Sequence, residues 1–122
     1  MNGKQNIIQQ KSYSFALRMI KLYQFLAQDK EEFVISKQIL RSGTSIGANI
    51  EEAIGGQTKK DFFLKITLSY KEARETHYWL RLLKDSNILE TKLAESLLND
   101  CEEILKLLAS IQKTTRKNLR NS

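Results

Sequence analysis

Proline is absent from this 122-residue sequence, and cysteine, histidine and tryptophan occur once each. A chain with several loops and no proline favours long uninterrupted helices joined by short connections, so the expected class is all-α. A single cysteine, Cys101, excludes a disulfide framework. It falls in an apolar-periodic segment and reads as core. No apolar run reaches the roughly 18 residues of a membrane span. The N-terminal MNGKQNIIQQ lacks the apolar stretch of a signal peptide, so the expected location is cytoplasmic. The length suits one domain, which at this size buries roughly two-thirds of its unfolded surface.

Charge is plentiful but unevenly placed. The net charge is +6, yet the segment from Tyr13 to Gln112 holds 14 basic and 14 acidic residues. All the excess lies in Lys4 and Lys11 in front and in Lys113, Arg116, Lys117 and Arg120 behind. These six are the candidate nucleic-acid contacts, as basic arms that meet phosphates. The competing reading is that cations near a helix C-terminus serve the macrodipole and solubility.

Apolar residues recur at helical spacing in four segments. The first helix is expected from about Ser12 to Gln28, with Phe15, Met19, Leu22 and Leu26 in one seam. The short polar connection after Gln28 turns the chain back, and a second helix is expected from about Phe33 to Ile54. Gly55-Gly56 supplies a left-handed stop. Thr58 reads as an N-cap for a third helix from Lys59 to about Lys84. Asp85-Ser86-Asn87 is turn chemistry. A fourth helix follows from about Thr91 to Thr114, with Leu93, Leu97, Cys101, Ile104, Leu108 and Ile111 in register. The layout is a flexible arm over 1–11, an antiparallel up-down-up-down four-helix bundle over 12–114 and a basic tail over 115–122.

Two features exceed a generic bundle. Gly43 and Gly47 sit inside the second helix at a cost of about 2 kcal/mol relative to alanine. They fall beside its isoleucine stripe, where they let a neighbouring backbone approach. On the other border Gln38, Arg41, Ser45, Asn49 and Glu52 form a polar seam, and Glu72 and Glu75 of the third helix are expected to accept hydrogen bonds from Arg41, Asn49 or Arg74 across helices or subunits, because buried charge must be paired. A phosphate-cradling loop at Ser42 to Gly47 lacks the lysine and strand context it needs. The second feature is the third helix, where Phe62, Ile66, Tyr70, Ala73, His77 and Leu80 form one apolar stripe. Leu64, Leu68, Trp79 and Leu82 form another. A helix apolar on two sides is buried on two sides, so the second stripe is the candidate oligomer interface.

No nucleophile, base and oxyanion arrangement stands out, and the chain is expected not to be an enzyme. His77 has no second His or Cys at ligand spacing, so no metal and no cofactor are expected. The Glu-x-x-His pairs of di-metal bundles do not occur.

Two runs carry a resemblance. Gln38-x-x-Arg41-Ser42-x-x-Ser45-Ile46-x-x-Asn49-Ile50-x-Glu52-Ala53 is one. Lys60-Asp61-Phe62 with Lys71-Glu72-Ala73-x-Glu75-Thr76-x-Tyr78-Trp79-Leu80 is the other. Together they resemble the four-helix-bundle proteins of the 23S ribosomal RNA intervening-sequence family over about Tyr13 to Ile111. Some members are similar to the accessory variability protein of diversity-generating retroelements. That accessory protein is a basic pentamer that engages nucleic acid, whereas the body of this chain is neutral apart from its ends; the resemblance implies bacterial origin and a homopentamer. Two functions are therefore expected: an oligomeric binding protein for RNA or DNA, or a scaffold for another protein without nucleic-acid binding.

Overall fold

The periodicities above become four helices: α1 (Gly3–Gln28), α2 (Ile35–Ile54), α3 (Lys59–Asp85) and α4 (Thr91–Arg120). The computed structural model describes residues 3–121, apart from the side chain of Lys4. No strand occurs among the described residues. Each helix packs on the next, and α4 also touches α1, more sparsely. One core runs through the bundle. It is built from Ile8, Phe15, Met19, Leu22 and Leu26 of α1, Ile39, Ile46 and Ile50 of α2, Ile66, Ala73 and Leu80 of α3, and Leu97, Cys101, Ile104 and Leu108 of α4.

Helix starts have local causes. Thr58 accepts the Asp61 backbone N–H at 3.0 Å and caps α3, as its position predicts. For α2 the capping group is Glu32, the last residue of the polar connection that follows Gln28. Its carboxylate accepts the backbone N–H groups of Val34, Ile35 and Ser36 at 3.1, 3.0 and 2.7 Å. Burial raises the Glu32 pKa, but these three bonds together hold it below the ordinary carboxylate value. The capping residue of α4, Glu90, makes no side-chain cap bond.

Four expectations are corrected. The first helix begins at Gly3, so residues 3–11 are helical and only Met1 and Asn2 of the expected arm lie outside the described residues. Ile8 explains this, because it is fully buried seven residues before Phe15 and extends the core seam by two turns. At the other end α4 continues past Thr114 to Arg120, so the tail is helical almost to its end, and Ser122 lies outside the described residues. Gly55 and Gly56 do not take the left-handed conformation: no glycine among the described residues has positive φ. Gly55 sits at φ −81° and closes α2 with its N–H on Glu51 O, while a Cβ on Gly56 would stand 3.2 Å from Ala53 O. Positive φ falls instead on Glu31 (52°) and Asn87 (63°) in the other two connections. Lastly, Leu93 is exposed, and Ala94 takes the buried place at the start of α4.

The backbone approach expected at both interior glycines occurs only at Gly47, at ordinary contact distance, whereas Gly43 makes room for the Met19 side chain. A Cβ on Gly43 would stand 2.4 Å from Met19 Cγ, and one on Gly47 would stand 3.5 Å from Ser12 O. The α1 core side chains therefore seat directly on the α2 backbone. Between α2 and α3 small polar side chains do the same work. Thr76 Oγ1 donates to Ser42 Oγ at 2.8 Å and Ser69 Oγ donates to Ile46 O at 2.8 Å, all of them buried.

Candidate functional site

Helix α3 has three surfaces at about 100° per residue. One is the core face of Ile66, Ser69, Ala73, Thr76, Leu80 and Leu83. The second turns toward α2 and carries the polar seam. Arg41 spans the gap with its guanidinium, one nitrogen donating to Glu72 at 3.0 Å and the other to Glu75. Glu75 also accepts the Trp79 indole N–H at 3.0 Å. Burial raises its pKa, yet the bonds from Trp79 and Arg41 outweigh that and hold it below the usual carboxylate range. The Arg41 pKa rises, chiefly through its bond to Glu75.

Not every residue of the expected seam joins this cluster. Ser45 Oγ donates to Arg41 O at 2.6 Å and Asn49 donates to Ser45 O at 2.9 Å, so both turn back on their own helix. Glu52 pairs instead with Lys65 of α3 at 3.3 Å, two turns before Glu72. Gln38 is exposed and takes no part. The cluster is thus Arg41, Glu72, Glu75 and Trp79, and the last of these was expected only in the apolar stripe. Of that stripe, Leu64 and Leu82 are exposed, whereas Leu68 and Trp79 are half-buried.

The third surface faces the groove toward α4. Tyr70, Lys71, Arg74, Glu75, His77, Tyr78, Arg81 and, from α4, Leu105 line an open depression of about 510 Å³, so Glu75 borders both this surface and the α2 seam. Lys71, Arg74 and Arg81 make no ion pair among the described residues, while the nearby carboxylates are taken: Glu75 by Arg41, and Glu102 by His77 Nε2 at 2.9 Å. The Arg81 guanidinium stands 5.7 Å from the Tyr78 ring, and that ring meets Trp79 edge-on at 5.3 Å. Farther along, Arg116 of α4 lies 5.4 Å from the Phe63 ring, and Gln112 donates to Thr67 at 3.2 Å. From Phe63 to Arg81 the surface alternates cations with aromatic rings over about 27 Å of helix. A balanced count of charge along the chain hides this. Placing Lys71, Arg74 and Arg81 on a helical wheel reveals it.

The six basic residues expected in the tails have separate fates. Lys11 is held by Glu103 at 2.7 Å on the α1–α4 flank, which raises its pKa. Lys4 lies in the first turn of α1, and its side chain is outside the described residues. Lys113, Lys117 and Arg120 stand exposed on the last turns of α4, and Arg116 belongs with the groove.

Nucleophile chemistry has little to draw on here. Burial, with help from Glu102 and Asp100, pushes the Cys101 thiol up to about 12, so it stays protonated; it donates to Ala73 O at 3.4 Å. No three His, Cys, Asp or Glu side chains among the described residues converge as a metal site. No helix among them is long and apolar enough to cross a membrane. At the bundle end an open pocket of about 740 Å³ is floored by Phe62 and Ile111 and rimmed by Gln57, Thr58, Thr114 and Asn118.

Comparison with known proteins fits this architecture. Residues 4–110 match the model of the 23S rRNA-intervening sequence protein family, and the chain belongs to that family. It is similar to a protein of unknown function from the S23 ribosomal protein family of Bacteroides thetaiotaomicron VPI-5482, solved as a crystal structure. The two share 52% identity over 90% of this chain and 98% of the other, with a TM-score of 0.88. No curated protein matches this chain.

Proposed function

We propose that this member of the 23S rRNA-intervening sequence protein family is a non-catalytic, self-associating protein that binds nucleic acid along the α3–α4 groove. The carrying observation is the run of unpaired Lys71, Arg74 and Arg81 interleaved with Tyr70 and Tyr78, continued by Arg116 over Phe63. Cations that are not neutralised by neighbours release counterions when they meet phosphates, and aromatic faces accept bases without regard to sequence. Lys113, Lys117 and Arg120 extend the same α4 helix as a second, outlying set of phosphate contacts. Contact pairs that run in reverse order support an antiparallel, up-down-up-down bundle: Gln9 bonds Glu51, farther along α1 Met19 meets Gly43, and Ser69 bonds Ile46 where Thr76 bonds Ser42. A homopentamer akin to the accessory variability proteins of diversity-generating retroelements would repeat the groove around a ring, which multiplies weak contacts.

Fluorescence anisotropy with a labelled 20-nucleotide single strand, titrated over a salt series, tests the reading. Replacing Lys71, Arg74 and Arg81 together with Gln is expected to lower the slope of log K against log salt by about 2, since each phosphate contact on a single strand contributes roughly 0.7. Replacing Lys113, Lys117 and Arg120 with Gln is expected to do less. Unchanged affinity in the groove variant would refute the groove as the site. Absence of binding by the wild type, with a protein partner recovered after nuclease treatment, would favour the scaffold.

A further inference from the structure

The cations of the α3–α4 groove stand in single file. Taken at about 100° per residue, Phe63, Lys71, Arg74, Tyr78 and Arg81 fall within about 80° of the α3 circumference, a row one side chain wide. The next sector toward α2 holds Leu64, Leu68, Glu75, Trp79 and Leu82 and no cation. At its border Glu72 and Glu75 share the one guanidinium of Arg41, so that edge keeps a net negative charge. On the opposite bank Leu105 is apolar and Glu102 meets His77 Nε2 at 2.9 Å. Arg116, over the Phe63 ring, continues the file at its end and does not start a second row.

We infer that the groove takes an unpaired strand and rejects a duplex, with Tyr78 as the ring on which a base stacks. The inference rests on the nucleic-acid reading above and specifies the form of nucleic acid. Charge placement is the first reason. A helix laid in the major groove of duplex DNA lies between two phosphate backbones about 12 Å apart and needs cations on both flanks. Here the second backbone would meet Leu64, Leu82 and the negative edge of Glu72 and Glu75. The major groove of duplex RNA is too deep and narrow for side chains to read. The ring is the second reason. Tyr78 is 48% exposed, with the Arg81 guanidinium 5.7 Å from its centre. Trp79, fixed by its indole N–H on Glu75, backs that ring edge-on at 5.3 Å. A paired base shows only its edge in either groove, so an aromatic face gains nothing until a base is splayed out. A single strand satisfies both conditions. Its one backbone follows Lys71, Arg74 and Arg81, while a base turns onto Tyr78 beside a cation that favours the stack.

The test is a competition against a labelled single strand of mixed sequence, followed by fluorescence anisotropy. The competitors are the same strand unlabelled and that strand annealed to its complement, each as RNA and as DNA. The unpaired strand is expected to displace the label at a concentration about ten-fold or more below that of the duplex. Tyr78→Leu is expected to weaken single-strand binding roughly 5- to 150-fold and to leave the duplex where it was. The slope of log K against log salt should stay the same, because a lost ring removes stacking and not counterion release. Tyr78→Phe is expected to keep wild-type affinity, since the ring and not the hydroxyl makes the stack. Failure of the labelled strand to bind the wild type at all would remove the nucleic-acid reading itself. A duplex that competes as well as the unpaired strand would overturn the inference alone. Wild-type affinity in Tyr78→Leu would overturn it too. The competition uses the wild-type chain, so it decides the matter even where Tyr78→Leu disturbs the fold.

Discussion

The contact between α2 and α3 and the contact between α1 and α4 are built in different ways. Buried hydroxyls specify the first: Thr76 on Ser42 and Ser69 on Ile46 O, sealed at the surface by the Arg41 fork on Glu72 and Glu75. Both helices also start on a side-chain cap, Glu32 for α2 and Thr58 for α3. The second is the sparsest of the four helix contacts, with Lys11–Glu103 and Arg18–Asp100 ion pairs on its surface and no side-chain cap at the start of α4. Geometry locks one side of the bundle, whereas apolar burial and screened charge hold the other. A hydrogen bond in the core must be made in one register or the unpaired group costs stability, while a surface ion pair tolerates sliding.

The largest expected effect breaks the locked side. Thr76→Val keeps the shape and leaves Ser42 Oγ buried without its hydrogen-bond partner, which should cost about 1–3 kcal/mol in urea unfolding. A loss below about 0.5 kcal/mol would show that the hydroxyl pair is incidental to the contact. Next is Glu32→Gln, which weakens a cap that serves three backbone N–H groups and should cost about 0.5–2 kcal/mol. The same variant carries a pH signature. Glu32 and Glu75 both have folded pKa values below their ordinary 4.5. Each therefore contributes stability in full above 4.5, and that contribution is lost as pH falls through the depressed folded value. Unfolding free energy should hold steady from neutrality to about pH 5 and fall below it, less steeply in Glu32→Gln. Arg41→Ala should be milder, about 0.5–1 kcal/mol, because its guanidinium is half-exposed to solvent and salt.

The same contrast explains what could be read in the sequence. Helices α2 and α4 are apolar on one side, so their seams were legible from spacing, apart from the first turn of α4, where Ala94 and not Leu93 is buried. Helix α1 hid both its start and its outer stripe. Ile8 is a lone core residue among Gln and Lys, and Tyr13, Leu17 and Ile20 interleave with Phe15, Met19 and Leu22, so counting one seam obscured the other. The Thr58 cap was legible because the donor lies three residues on, in a familiar pattern. The Glu32 cap was not, since a glutamate before an apolar run looks like ordinary loop charge. Arg41 with Glu72 and Glu75 followed from the need to pair charge, but the role of Trp79 as a donor to Glu75 requires the rotamer. The groove cations escaped notice because a neutral sum over the body says nothing about which face carries which sign.

The smallest effect sharpens the comparison most. Arg18 meets Asp100 at 2.5 Å and Ser96 at 3.2 Å, which on distance alone looks stronger than the long bond of the Arg41 fork. Its partner carboxylate is 44% exposed, though, and a water-screened pair returns little of its Coulomb energy after the side chains are ordered. Arg18→Ala should therefore change stability by less than about 0.5 kcal/mol at physiological salt, with any change fading as salt rises. Native-state hydrogen exchange adds the spatial half of the argument. Amides along α1 and α4, outside the segments that carry Phe15 to Leu26 and Leu97 to Leu108, should open at lower free energy than those of α2 and α3 near Ser42 and Thr76. Arg18→Ala should leave that ordering intact, whereas Thr76→Val should erase it. Equal protection on both sides in the wild type would mean that burial alone sets local stability, and the hydroxyl ladder would lose its claim to lock one half of the bundle.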